Sequence, residues 1–175
     1  MEKNKTQKYI GLLSVMLLLM FGSNEIYAWT GRNILEININ ESEEILIEGQ
    51  LAILEDIKDI VKEFILNPRS DYMNSEQKEI VVDLLGVIKV SKGIVSIQTS
   101  RNTTYAFYLL VNNEVEKAYN EMRKEFSLAK FKTEYKCLGS RYKKVVDKCI
   151  PKIISEAEPR YVWREGQLVR SITLW

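Results

Sequence analysis

The sequence predicts a mainly α fold: a bundle of about four helices with a small C-terminal β-hairpin. Three observations point there. Apolar residues recur at three-and-four spacing through much of the chain, these runs begin behind polar capping residues, and residues 160–174 switch to alternation of polar and apolar side chains.

The N-terminus is read first, because it sets the compartment. Lys3, Lys5 and Lys8 precede an apolar run from Ile10 to Phe21. A helix needs about 20 apolar residues to cross a bilayer, so this shorter run fits a signal peptide over residues 1–28, cleaved after Ala28. An uncleaved membrane anchor is the alternative. Residues 29–175 are then expected to form a single helical domain, exported to the periplasm or secreted.

The first helix is expected over 41–67. Asn40 is placed to cap it, Glu43 follows in capping-box register, and Ile53, Ile57, Ile60 and Phe64 share one face. Pro68 stops it, since proline disfavours helical geometry in the residue before it. A second helix is expected over 75–99, with Leu84, Ile88 and Val95 on its apolar face and Gly86, Gly93 and Ser100 forming a smooth ridge. The β-branched run Val87–Ile97 also admits a hairpin. The third helix is expected over 104–137, with a seam of Tyr108, Val111, Val115, Tyr119, Met122, Phe126 and Ala129, ended by Gly139. A short fourth helix over 141–150 stops at Pro151. Alternation around Glu165-Gly166 predicts a hairpin near 160–174. The segment Ile34–Ile39 alternates in the same way, so the two chain ends are candidates to pair.

Several chemistries have no support in the composition. The chain holds no histidine, so it lacks a Ser-His or Cys-His nucleophile pair and an imidazole proton shuttle. No phosphate-cradling glycine loop or nucleophile elbow is present. Carboxylate-only catalysis has no marked pair, so no enzyme, cofactor or metal site is expected. Glu55, Asp56, Asp59 and Glu63 have helical spacing, but Lys58 and Lys62 are interleaved with them, which reads as a solvated mixed-charge face. Asn40-Glu-Ser42 and Asn102-Thr-Thr104 match the short glycosylation pattern, which matters only in a eukaryotic source.

The only two cysteines, Cys137 and Cys149, are expected to form one structural disulfide in an exported chain. Geometry constrains that expectation: one uninterrupted helix would hold residues 12 positions apart at about 18 Å, beyond the roughly 7 Å a disulfide tolerates.

Charge is distributed unevenly. Residues 36–67 carry nine acids and two lysines, whereas residues 123–152 carry ten Lys or Arg and three acids. One reading is internal: the acidic first helix packs beside a basic later helix and both are neutralised. The other leaves Lys130, Lys132, Lys136, Arg141, Lys143, Lys144 and Lys148 exposed as a partner-binding face. The partner would be an acidic protein or envelope component. Nucleic acid is not expected for an exported chain of near-zero net charge. The functional expectation is a non-catalytic binding module of inhibitor, immunity or adaptor type. The alternative is a structural subunit of a cell-envelope or surface assembly, self-associating through the C-terminal hairpin.

Overall fold

Glu48 and Gly49 both have positive φ, 52° and 80°, a left-handed pair that reverses the chain within two residues. Ile45–Ile47 (β2) therefore returns antiparallel as Gln50–Ala52 (β3), with Ile47 opposite Gln50. The turn is tied to Ile34–Ile39 (β1): the Glu48 N–H donates to the Glu36 carbonyl, and the Glu48 carboxylate accepts the Glu36 N–H at 2.8 Å. The computed structural model describes residues 33–157, 161–164 and 167–170. The segment read as a signal peptide lies outside them, as does part of the predicted 160–174 hairpin. No helix among the described residues is long and apolar enough to cross a membrane.

The structure corrects the predicted fold class. It is an α/β fold with a five-stranded mixed sheet and two two-stranded sheets, not a four-helix bundle. The large sheet has the order β3-β2-β1-β6-β7, where β6 is Ile94–Thr99 and β7 is Ile154–Ala157. β1 pairs antiparallel with β2 and parallel with β6, and β6 pairs parallel with β7. Parallel neighbours need long crossovers, and the helices supply them. Ile57–Leu66 (α1) lies between β3 and β6, whereas Tyr105–Phe131 (α2) and Ser140–Cys149 (α3) lie between β6 and β7.

Each departure from the predicted helices has a local cause. Asn40 does capture free N–H groups, but its carboxamide oxygen accepts from Ser42 and Glu44 at 2.9 Å each and closes the β1–β2 turn. The predicted 41–67 helix is thus two strands, a 3-10 turn at Leu54–Asp56 and only then α1. The predicted 75–99 helix is three strands. Gln77–Val82 (β4) and Gly86–Ser91 (β5) form one two-stranded sheet, and β6 lies between β1 and β7 in the large one. Leu84 and Gly86, at φ 72° and 74°, end the possibility of a continuous helix. Lys132 adopts a left-handed cap at φ 55° and ends α2 at Phe131, well before the Gly139 stop; Tyr135–Cys137 is a separate 3-10 turn. The fourth predicted helix coincides with α3 apart from a residue at each end. The N-terminal segment is a strand, but its partners are β2 and β6, while Tyr161–Arg164 (β8) pairs antiparallel with Gln167–Arg170 (β9).

Alternation along β1 sends Leu35, Ile37 and Ile39 to one face, where the register sets them beside Val95 and Ile97 of β6 and Ile45 and Ile47 of β2. These join α1 (Ile57, Val61, Phe64, Ile65) and α2 (Val111, Val115, Ala118, Tyr119, Met122) in one buried cluster. The α2 seam is therefore the predicted one through Met122. Tyr119 is fully buried, and its hydroxyl meets no hydrogen-bond partner of good geometry among the described residues. The backbone of Ile153 is the polar group nearest in effect, and burial pushes the phenol up to about 12.

The β4–β5 hairpin is tied to the C-terminal end of α1 by buried hydroxyls. Ser75 Oγ donates to the Phe64 carbonyl at 2.9 Å and lies 2.6 Å from Ser91 Oγ, which accepts the Gly93 N–H at 2.8 Å. Gln77 Nε2 donates to the Ile65 carbonyl. Carbonyls that a helix end leaves without partners are satisfied here by side chains from the next segment.

Candidate functional site

The basic segment runs from the end of α2 through the 3-10 turn into α3, and its fate depends on where its few acids go. Glu125 accepts from Lys62 of α1 at 2.9 Å. Glu134 pairs with Lys124 at 3.4 Å, and Asp147 pairs with Arg123 at 3.3 Å while accepting the Tyr135 hydroxyl at 2.7 Å. Lys152, the last cation of the segment, is held by Glu116 at 2.6 Å. All three acids are thus engaged by Lys62, Lys124 and Arg123. What remains is Lys130, Lys132, Lys136, Arg141, Lys143, Lys144 and Lys148, none of which pairs with a carboxylate among the described residues.

Six of these seven are exposed, and Lys143 is half-buried. Lys143 Nζ donates to the Lys136 carbonyl at 2.9 Å and sits 5.9 Å from the Tyr135 ring centroid, which joins the 3-10 turn to α3. On α3 the buried side is Val145, Val146 and Cys149, so Arg141, Lys144 and Lys148, at helical spacing, form one outward stripe. The same segment also exposes apolar residues that charge counting does not reveal. Leu128 and Tyr142 are 38% and 43% exposed, and the Tyr142 ring meets Phe131 edge-on at 5.2 Å.

The internal reading of the charge asymmetry is overturned. α1 does pack on α2, but with the signs reversed: Lys58 and Lys62 of α1 meet Glu121 and Glu125 of α2. Burial opposes the charge on Lys62, yet Glu121 and Glu125 outweigh it and hold its pKa above the ordinary lysine value. Hydrogen bonds from Lys62, then Lys58, hold the Glu121 carboxyl below the ordinary carboxylate value. The acids of α1 are left to its other side, where Asp59 keeps only the neighbouring Lys58 and Glu63 pairs with the exposed Arg69.

Cys137 and Cys149 are not bridged in this structure. Cys137 is exposed, whereas Cys149 packs in the core cluster, where burial raises its thiol pKa against the opposing charge of Lys130. No group of carboxylates and thiols among the described residues is placed to hold a metal ion. The β8–β9 ladder, expected to mediate self-association, forms a two-stranded sheet of its own.

The sequence identifies the seven cations but not the reason they are left over. That reason lies in contacts such as Arg123–Asp147 and Lys62–Glu125, between residues far apart in the chain. Compared with protein-family models and with curated proteins, the chain matches none.

Proposed function

We propose that the protein is an exported, non-catalytic binding module whose basic face on α2 and α3 docks on an acidic protein of the cell envelope. One observation carries this reading: every acid of residues 123–152 is engaged by another cation, so seven cations of α2, the 3-10 turn and α3 meet no carboxylate among the described residues, and the same segment exposes Leu128 and Tyr142. Such a surface steers an acidic partner over a range set by the Debye length, and its exposed aromatic and aliphatic residues supply the contact that excludes water. The lysine-led apolar run at the N-terminus supports export.

The test is a reversal of the α3 stripe, Arg141→Glu, Lys144→Glu and Lys148→Glu, none of which contributes to the core. Envelope extract is passed over immobilised wild-type and variant protein at low and high salt, and retained proteins are identified and reassayed pure. An acidic protein held by the wild type, released by salt and not held by a variant of unchanged melting temperature is the expected result. Equal retention by both would refute the assignment of the face. The second reading, a structural subunit of an envelope assembly, draws on β8–β9, because a two-stranded ladder standing as its own sheet offers edges for strand addition.

A further inference from the structure

The face of α1 turned away from α2 borders a second surface, of opposite sign. Between α1, the β1–β2–β3 end of the sheet and the 71–74 loop lies a half-open groove of about 410 Å³. Leu35, Ile47, Ile60 and Phe64 form its apolar floor, and Ile34, Leu51 and Met73 stand at its lips, 44%, 72% and 43% exposed. Its charged lining is Glu48, Asp56, Glu63 and Asp71, and no lysine or arginine is among the described lining residues. This follows from how α1 distributes its charges. Lys58 and Lys62, one turn apart, are drawn to Glu121 and Glu125 of α2, whereas Asp56, Ile60 and Glu63 face the groove. Arg69 reaches over to Glu63, as a solvent-exposed pair that is weak and readily exchanged.

The chain therefore carries two surfaces of opposite charge with exposed apolar residues: an acid-lined groove with apolar lips, and a segment with seven cations that meet no carboxylate among the described residues and with Leu128 and Tyr142 exposed. The groove lies at the β3 edge of the sheet, while the cations lie on the crossover that leads to β7 at the opposite edge. We infer that the groove receives the basic face of a second copy of this chain, so that copies associate head to tail. This rests on the reading of the basic face as a docking surface and names one acidic surface that it fits. Because the two patches differ, the contact is heterologous: it propagates to a ring or a filament and does not stop at a two-fold dimer.

Sedimentation velocity on the full mature protein tests the inference. Wild type is expected to self-associate with rising concentration. Raising NaCl from about 0.1 to 1 M contracts the Debye length from about 10 to 3 Å and is expected to weaken association about tenfold or more. Two reversals follow. Lys143→Glu, Lys144→Glu and Lys148→Glu make the basic face acidic, and Asp56→Lys with Glu63→Lys make the groove basic. Each variant alone is expected to remain monomeric, since like charges then face each other, and an equimolar mixture is expected to recover association. If the groove lysines lower the melting temperature, Leu51→Arg at the exposed lip replaces them. A wild type that is monomeric throughout, or a mixture that does not recover, overturns the inference. The groove variant leaves the basic face intact, so its salt-sensitive capture of an acidic envelope protein tests the functional reading separately from the self-association.

Discussion

Replacing Gly93 by alanine separates the observed fold from the helix that the sequence predicts, because the two give opposite signs. In the structure Gly93 is buried between β5 and β6, under the C-terminal end of α1. A Cβ added there would lie 2.8 Å from Ile65 Cδ1, 2.9 Å from Phe64 Cε1 and 2.9 Å from Ser75 Cβ. Carbon atoms in favourable contact sit about 3.5–4.0 Å apart, so all three neighbours must move. The Ile65 methyl can turn away. Ser75 cannot do so cheaply, since its Cβ is one bond from the backbone and its hydroxyl is committed to Phe64 and Ser91. Overpacking of this kind costs about 1–3 kcal/mol, reduced by about 0.4–1 kcal/mol because alanine stiffens the unfolded chain. A net loss of about 1–2 kcal/mol is expected, or roughly 3–8 °C in melting temperature for a domain of this size. In a helix over 75–99 the same change would raise stability by about 1 kcal/mol. Urea titration followed by circular dichroism measures it, with Gly139→Ala as control. Gly139 has φ −65° and nothing within 4 Å of its added Cβ, and the loss of a favourable N-cap residue roughly offsets the stiffening, so its change stays within about 0.5 kcal/mol. A Gly93→Ala protein as stable as wild type, or more so, would refute the packing described.

Three further outcomes are expected. Tyr119→Phe removes a buried hydroxyl without a good partner, so stability is expected to stay level or to rise by up to about 1 kcal/mol in the same urea titration, and a loss larger than that would mean the hydroxyl is bonded. Glu121, held below the ordinary carboxylate value by Lys62 and Lys58, contributes stability that is present above that value and is lost as pH falls through its folded pKa. Glu121→Gln is therefore expected to flatten the loss of stability as pH falls below the ordinary glutamate range, and an unchanged acid limb would show that the α1–α2 ion pairs contribute nothing. Thiol titration of the folded protein is expected to find Cys137 reacting at once and Cys149 only as the core opens, whereas two silent thiols that appear after reduction would establish the Cys137–Cys149 bridge in solution.

What the sequence made legible depended on periodicity that only one structure could satisfy. β1 reads correctly because Leu35, Ile37 and Ile39 alternate with polar neighbours, and α2 because Val111, Val115, Tyr119 and Met122 recur over a length no strand reaches. Residues 45–52 and 77–99 misled because isoleucine, leucine and valine are so frequent there that helical spacing is met by chance. β6 adds a second difficulty: Val95 and Ile97 do alternate with Ser96 and Gln98, but all four are buried and the run is too short to outweigh the helical spacing of the residues before it. In both segments the β-branched content was the better guide, together with Glu48-Gly49, a left-handed pair that ends a helix. The basic face was visible as composition. Its isolation from internal acids was not, because the contacts that spend those acids join α1 to α2, and α2 to the 3-10 turn and α3.

The placement of β6 between two parallel neighbours has a consequence in time. Ile94 pairs with Ile34 and Val95 with Ile154, so each side of this strand is closed by a segment about sixty positions away along the chain. The β1–β2–β3 meander and the β4–β5 hairpin can form as soon as their own residues are free, at the cost of short loops alone. The sheet itself waits for two long closures, and such topologies fold slowly because the entropy of closure is spent before the contacts that reward it are made. During synthesis, one edge of β6, with Val95 and Ile97 on its apolar face, stays open until Ile154–Ala157 has emerged. Until then β6 is covered on the β1 side alone.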